Sequence, residues 1–203
     1  QVELGQADAA DRETLVRLIT QAAAAEQVQI HAAALLDAEV QLLCTPPDAQ
    51  ALSRMMQAVG RRYVSAYNQR HRRSGALWDG RFRCAVVQAG ATLLEVLCLI
   101  DGQAQDPIEP PRTTAGHRNG GQAWIPVADP PEYWALGNTP FDRERAYREL
   151  LARGTPAERA RALRAAALGG WAVGNTAFAA QLAKSGGRPA APRPRGRPRR
   201  SAT

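Results

Sequence analysis

Apolar residues along the chain follow two periods, and those periods predict its elements. Leu15, Leu18, Ile19 and Ala22 fall three and four apart. That spacing predicts a helix over 8–25, which Asp8 or Asp11 can cap. VQIHAAALL (28–36) and EVQLLCT (39–45) read as strands joined by a tight hairpin at Asp37 and Ala38, and Pro46 and Pro47 end the second. Asp48 can cap a long helix reaching to about Arg72. Leu52, Met55, Met56, Val59, Tyr63 and Tyr67 share its apolar face, which is read as core, with Arg54, Arg61 and Arg62 lying off that face. Residues 74–80 (SGALWDG) read as a loop, 81–88 (RFRCAVVQ) as a strand, and 90–101 as a helix with Leu93, Leu94, Leu97 and Ile100 apolar.

Residues 102–138 are rich in Gly and Pro and read as irregular. Three helical pieces follow, near 141–153, 155–168 and 174–183. The end, 185–203, is rich in Gly, Pro and Arg and is expected to be disordered when free. The order αββαβα predicts an α+β fold, helices packed on a mostly antiparallel sheet. The expected segments are a first domain over 1–105, an irregular linker over 106–138, a helical region over 139–183 and a basic tail over 184–203.

Composition changes this picture little, charge more. Of 203 residues 45% are hydrophobic, enough for a core, and no apolar run approaches the roughly 18 residues of a membrane helix. Cys44, Cys84 and Cys98 are widely spaced, which argues against a zinc cluster or disulfide framework and fits a reducing cytoplasm. The formal net charge is +7. Residues 184–203 hold seven basic residues and no acid, so residues 1–183 are neutral, with 19 of each sign. Within that neutral body, residues 61–83 hold seven arginines against Asp79 alone. Two arginine-rich blocks point to a polyanionic partner, most simply nucleic acid.

GRRYVSAYNQRHRRSGALWDGRFRCAVV (60–87) resembles the signature of the REP-associated tyrosine transposases, a branch of the HUH superfamily, and Gly75–Phe82 is its most specific part. IHAAALL (30–36) with LLCTP (42–46), PPEYWALG (130–137), GWAVGNTAFAAQL (170–182) and the PRPRGRPRR tail extend the resemblance over most of the chain, weakest at 102–129. The resemblance implies a ferredoxin-like domain that binds single-stranded or hairpin DNA, as monomer or homodimer, in the cytoplasm at the nucleoid. It also implies an opening strand and basic loop before the first helix. Only Gln1–Leu4 stand there, so the first strand is expected either to lie upstream of Gln1 or to be missing.

Active members of that family nick DNA with a tyrosine, aided by Mg²⁺ or Mn²⁺ on a His-x-His pair and an Asn or Gln four residues after the tyrosine. In this chain the His-x-His positions fall on Glu39 and Gln41, the nucleophile on Leu99 and the third ligand on Gln103. Only Gln103 matches, so the metal site is expected as a weak remnant and cleavage as lost. Cys98 beside Leu99 is read as a small buried hydrophobe, and Tyr63 and Tyr67 as core. His31 is read as structural, and His71 and His117 as lacking ligand-spaced partners.

The DNA-facing candidates are Arg61, Arg62, Arg70, Arg72, Arg73, Arg81 and Arg83, with Trp78 either stacking on an unpaired base or packing its loop against the core. Arg195, Arg197, Arg199 and Arg200 lie in the tail, where Arg195-Gly196-Arg197-Pro198 is either an AT-hook-like minor-groove reader or part of a nonspecific polybasic segment. The expectation is a DNA-binding protein unable to cut. The alternatives are an active transposase or nuclease with rearranged metal-dependent chemistry, and an RNA-binding module.

Overall fold

The computed structural model describes residues 7–37, 39–103 and 112–186. Gln1–Leu4, Ala38 at the hairpin tip and the tail arginines Arg195, Arg197, Arg199 and Arg200 lie outside the described residues. The fold is α+β. Its contacts divide the chain into two units, Gln1–Phe82 with Leu93–Thr155, and Arg83–Thr92 with Pro156–Thr203.

The first unit opens with helix α1 (Ala9–Ala25). Asp8 starts it by accepting from the backbone N–H groups of Ala10 and Asp11, both at 3.0 Å, and the Asp11 carboxylate answers by accepting from Asp8 N–H at 3.1 Å. This reciprocal cap satisfies donors that the first turn would otherwise leave bare. Leu15, Leu18, Ile19 and Ala22 are buried, as their spacing predicts. Strand β1 (Gln29–Leu35) pairs antiparallel with β2 (Val40–Thr45), Ala33 opposite Leu42 and Leu35 opposite Val40, with a bulge between Ile30 and Ala32. Leu36 N–H closes the hairpin on the Glu39 carbonyl at 3.0 Å.

Helix α2 (Ala51–Arg70) runs antiparallel to α1. Arg54 near its start holds Glu26 at the end of α1, and Arg70 at its end holds Asp8 at the start of α1. Asp48 caps α2 through Gln50 N–H at 2.6 Å and Ala51 N–H at 2.8 Å. Met55, Val59, Tyr63 and Tyr67 are buried on the expected face, and Leu52 and Met56 are half-buried beside them.

Two expectations fail. Residues 81–88 do not join the sheet. They run extended, with one isolated parallel bridge from Val87 to Val173. The strand pattern there lacks a face to bury, since Phe82 and Val86 are exposed. The other edge of β1 is taken by β3 (Arg112–Thr113), giving a three-stranded sheet of order β2-β1-β3. β1 is therefore central, and Ala32, Ala33 and Ala34 are fully covered.

The second failure concerns 102–138, expected to be irregular throughout. It carries β3, the short helices α4 (Ala115–Arg118) and α5 (Pro131–Trp134), and the buried residues Thr114, Arg118, Ile125 and Tyr133. Elements of two to four residues are too short to show a period, so the sequence pattern cannot reveal them. Helix α3 (Ala91–Asp101) precedes this stretch and α6 (Pro140–Arg153) follows it.

A buried polar network ties these short pieces together. The Arg118 guanidinium is fully buried. It donates to Asp101 Oδ2 at 3.0 Å and to the His31 carbonyl, and its Nε lies 3.0 Å from Asp129 Oδ1. The rings of Tyr133 and Tyr147 flank it, with centroids 5.3 and 5.6 Å from its central carbon. Asp101 also accepts from the Thr114 and Tyr147 hydroxyls, each at 2.6 Å. Thr114 carries the network into the sheet, because its Oγ1 accepts from Ala33 N–H at 2.9 Å and its own N–H donates to the Ala33 carbonyl at 3.0 Å.

The second unit is smaller. α7 (Ala157–Gly169) and α8 (Thr176–Gly186) flank a turn in which Val173 exchanges backbone bonds with Val86 and Gln88 at 2.9 and 2.8 Å. The Gln88 side chain accepts from Asn175 N–H, and the Asn175 side chain caps α8 through Phe178 N–H, both at 2.8 Å. Leu163 and Val173 form its buried centre. No helix among the described residues is long and apolar enough to cross a membrane.

Removing one partner from a buried ion network leaves the others charged in a poor solvent, at a cost of about 3–5 kcal/mol. Arg118→Met is therefore expected to lose about that much stability in urea denaturation, against less than about 1 kcal/mol for Arg145→Gln, whose ion pair is exposed. Equal losses would show that Arg118 does not organise this region.

Candidate functional site

Glu39 ends the hairpin turn and Gln41 lies two residues on in β2, so strand alternation puts both side chains on one face. Gln41 Nε2 donates to Glu39 Oε1 at 2.6 Å. Gln103 follows the end of α3, and its Nε2 donates to Gln41 Oε1 at 3.2 Å and to the Leu99 carbonyl at 2.8 Å. Glu39, Gln41 and Gln103 therefore form one hydrogen-bonded row, although 62 residues separate Gln41 from Gln103, and Leu99 touches it through its backbone carbonyl.

The chemistry available there is limited. Leu99 offers only hydrocarbon. The Cys98 thiol is half-buried, and burial, with Asp101 close by, pushes it up to about 11, so it is protonated at neutral pH. Tyr63 is buried, its hydroxyl without a hydrogen-bond partner among the described residues, and burial pushes its pKa well above the ordinary tyrosine value. Tyr67 is buried too, its ring 6.0 Å from Tyr63 and 4.2 Å from His71.

The row suits a divalent cation poorly. It offers one carboxylate and two amides, and Glu39 Oε1 and Gln41 Oε1 already accept from amide nitrogens. Mg²⁺ favours carboxylate and water oxygens, and Mn²⁺ also accepts imidazole nitrogen, which this row lacks.

The histidines serve elsewhere. His31 is structural, as expected, with Nδ1 2.6 Å from the Ala128 carbonyl and Nε2 2.8 Å from Thr45 Oγ1. His71 and His117, expected to lack ligand-spaced partners, each face a carboxylate. His71 Nε2 lies 2.7 Å from Asp11 Oδ2, and His117 Nε2 lies 3.2 Å from Asp129 Oδ2. The Asp11 contact spans 60 residues, and sequence spacing does not register it.

Asp8, Asp11 and His71 present ligand atoms within 4.8 Å of one another. A cation does not fit, because Arg70 occupies the cluster, donating to both carboxylates of Asp8 and Asp11. The group is a clasp between helix ends. It sets acids at the positive start of α1 and bases at the negative end of α2.

The expected DNA-facing side chains divide. Arg61, Arg62, Arg72 and Arg81 are exposed on the first unit. Arg70 is held by Asp8 and Asp11, and Arg73 lies 5.7 Å over the Tyr67 ring and donates to the Ala76 carbonyl at 3.2 Å. Trp78 packs its loop against the core, 5.6 Å from the Tyr63 ring, with its indole N–H buried and without an acceptor among the described residues. Arg83 is exposed and belongs to the second unit. Sequence reasoning missed the Arg118 network and the α1–α2 clasp, whose members carry no mutual spacing signal.

The clasp has a pH signature. The Arg70 guanidinium, with the Asp11 and Ala10 N–H groups, holds the Asp8 carboxyl down from its ordinary 3.8 to about 2. A depressed folded-state value stabilises the fold fully above 3.8 and ceases to do so as pH falls through about 2. Denaturation midpoints measured across that window should fall more steeply for the native chain than for Arg70→Gln. Parallel curves would remove the clasp from the stability balance.

No protein-family model, curated protein or solved structure matches this chain at a significant level.

Proposed function

We propose that this chain binds DNA without cutting it, as a cytoplasmic, nucleoid-associated relative of the REP-associated tyrosine transposases with a ferredoxin-like first domain. The observation that carries this reading is the row Glu39–Gln41–Gln103 beside Leu99. The positions that the resemblance assigns to one catalytic centre converge, yet they hold no imidazole pair and no nucleophile. The exposed Arg61, Arg62, Arg72 and Arg81 supply cations for phosphate contact. Such contacts release condensed counterions, so their affinity falls steeply with salt.

Incubation with labelled single-stranded hairpin DNA and Mn²⁺ or Mg²⁺ tests this directly. The expected outcome is a complex that weakens with salt, without nicking and without a covalent adduct. An adduct would instead establish an active transposase with rearranged chemistry. The placement of the centre has its own test. Glu39→His, Gln41→His and Leu99→Tyr combined should raise Mn²⁺ affinity in titration calorimetry, and unchanged affinity in a folded variant would refute the placement.

A further inference from the structure

Two aromatic rings of the first unit stand in water. Trp134 in α5 is 53% exposed and Phe141 in α6 is 80% exposed, whereas Tyr133 and Tyr147 on the same helices are buried. Rings of this size contribute most when covered, so a pair displayed together marks a surface that meets a partner.

Trp134 is held in place. Its indole N–H donates to the Asp129 carbonyl at 3.2 Å, and the Arg143 guanidinium lies over the ring, its central carbon 4.4 Å from the centroid. Arg143 also donates to the Gly137 carbonyl at 3.0 Å, which closes the turn between α5 and α6. That turn sits directly on the start of α6, because a Cβ on Gly137 would meet Asp142 Cβ at 2.6 Å. Trp134 and Phe141 are therefore carried by the two sides of one tightly closed turn.

α6 continues the surface. Phe141, Arg145 and Arg148 are four and three residues apart, which places them on one helix face about 5–6 Å from one another, and all three are exposed. Arg145 pairs with Asp142 at 3.4 Å, an exposed pair that water weakens enough for a phosphate to displace it. The next position on that face is Ala152, so the face offers no aliphatic ridge to a partner helix. α6 carries Arg143, Arg145, Arg148 and Arg153 against Asp142, Glu144 and Glu149, an excess of one positive charge. So small an excess selects no duplex by its phosphates. Flat rings flanked by guanidinium groups suit the face of a base, and a base offers its face only when it is unpaired.

We propose that Trp134 and Phe141 form a platform on which unpaired bases of a single DNA strand stack, with Arg145 and Arg148 beside it for the strand's phosphates. The inference rests on the DNA-binding reading and names what that binding recognises. It places recognition of the single strand apart from the degenerate centre.

The test uses the full chain with a fluorescein-labelled oligothymidylate strand and with a blunt DNA duplex of the same length, read by anisotropy over a salt series. Trp134→Leu with Phe141→Leu should weaken single-strand binding at least about fivefold and duplex binding by less, with the slope of log affinity against log salt unchanged. Arg145→Gln with Arg148→Gln should instead lower that slope by about one. Trp134→Phe keeps a stacking face and should retain most of the affinity. Circular dichroism checks folding, and Phe141→Leu alone, at so exposed a side chain, serves if the double variant does not fold. Native affinity in the folded aromatic variants, or an equal loss on the duplex, would overturn the platform while leaving DNA binding in place. Tighter binding of an oligouridylate RNA, lost in the same variants, would overturn DNA as the strand. A native dimer that Phe141→Leu dissociates in sedimentation would assign the rings to a second copy of the chain and overturn the platform. No binding of either DNA by the native chain would overturn the functional reading itself.

Discussion

A buried guanidinium sets the architecture of the first unit. Arg118 is buried with hydrogen bonds to Asp101 at the end of α3 and to the His31 carbonyl in β1, an ion pair with Asp129 before α5, and the faces of Tyr133 and Tyr147 beside it. Asp101 is equally demanding, and it recruits Thr114 and Tyr147. The requirement is mutual, since a carboxylate and a guanidinium are each untenable there without the other. Segments too short to fold by periodicity are thereby fixed against the sheet. Thr114 transmits the constraint to Ala33, which makes Arg112–Thr113 the third strand in preference to residues 81–88.

The same physics operates more weakly at the surface. α1 and α2 are aligned by core packing of Leu15, Leu18, Met55, Val59 and Tyr63, and their ends are tied by Arg54 with Glu26 and by Arg70 with Asp8 and Asp11. Asp11 is buried, so that contact sees less water than an ordinary surface pair. The clasp also consumes charge. Arg70 sits in the arginine-rich stretch that suggests nucleic-acid binding, yet its cation is matched within the fold. Counting arginines along a sequence overstates what a polyanion can use.

These constraints give the proposed function its shape. The convergence of Glu39, Gln41 and Gln103 depends on the hairpin and on the end of α3, both anchored by the first unit's core. One amide-to-carboxylate bond and one amide-to-amide bond join the three side chains. Within the first unit Arg54, Arg70 and Arg118 are matched by carboxylates of the fold, whereas Arg61, Arg62, Arg72 and Arg81 stay exposed.

The sequence by itself determined the elements whose signal is local. The apolar stripes of α1 and α2, the Asp8 and Asp48 caps, the hairpin, α3 and the three later helices are all legible in it, because each depends on spacing within about one element's length. The positions Glu39, Gln41, Leu99 and Gln103 come from the family resemblance, and of these Glu39, Gln41 and Gln103 are joined by hydrogen bonds in the fold. Tertiary structure alone decided what depends on distant partners: which segment completes the sheet, why Arg118 is buried, that His71 faces Asp11, and that Trp78 spends its face on Tyr63. It also decided which arginines are matched within the fold, because a net charge is a sum over the sequence, whereas its field depends on which carboxylates fold up against which arginines.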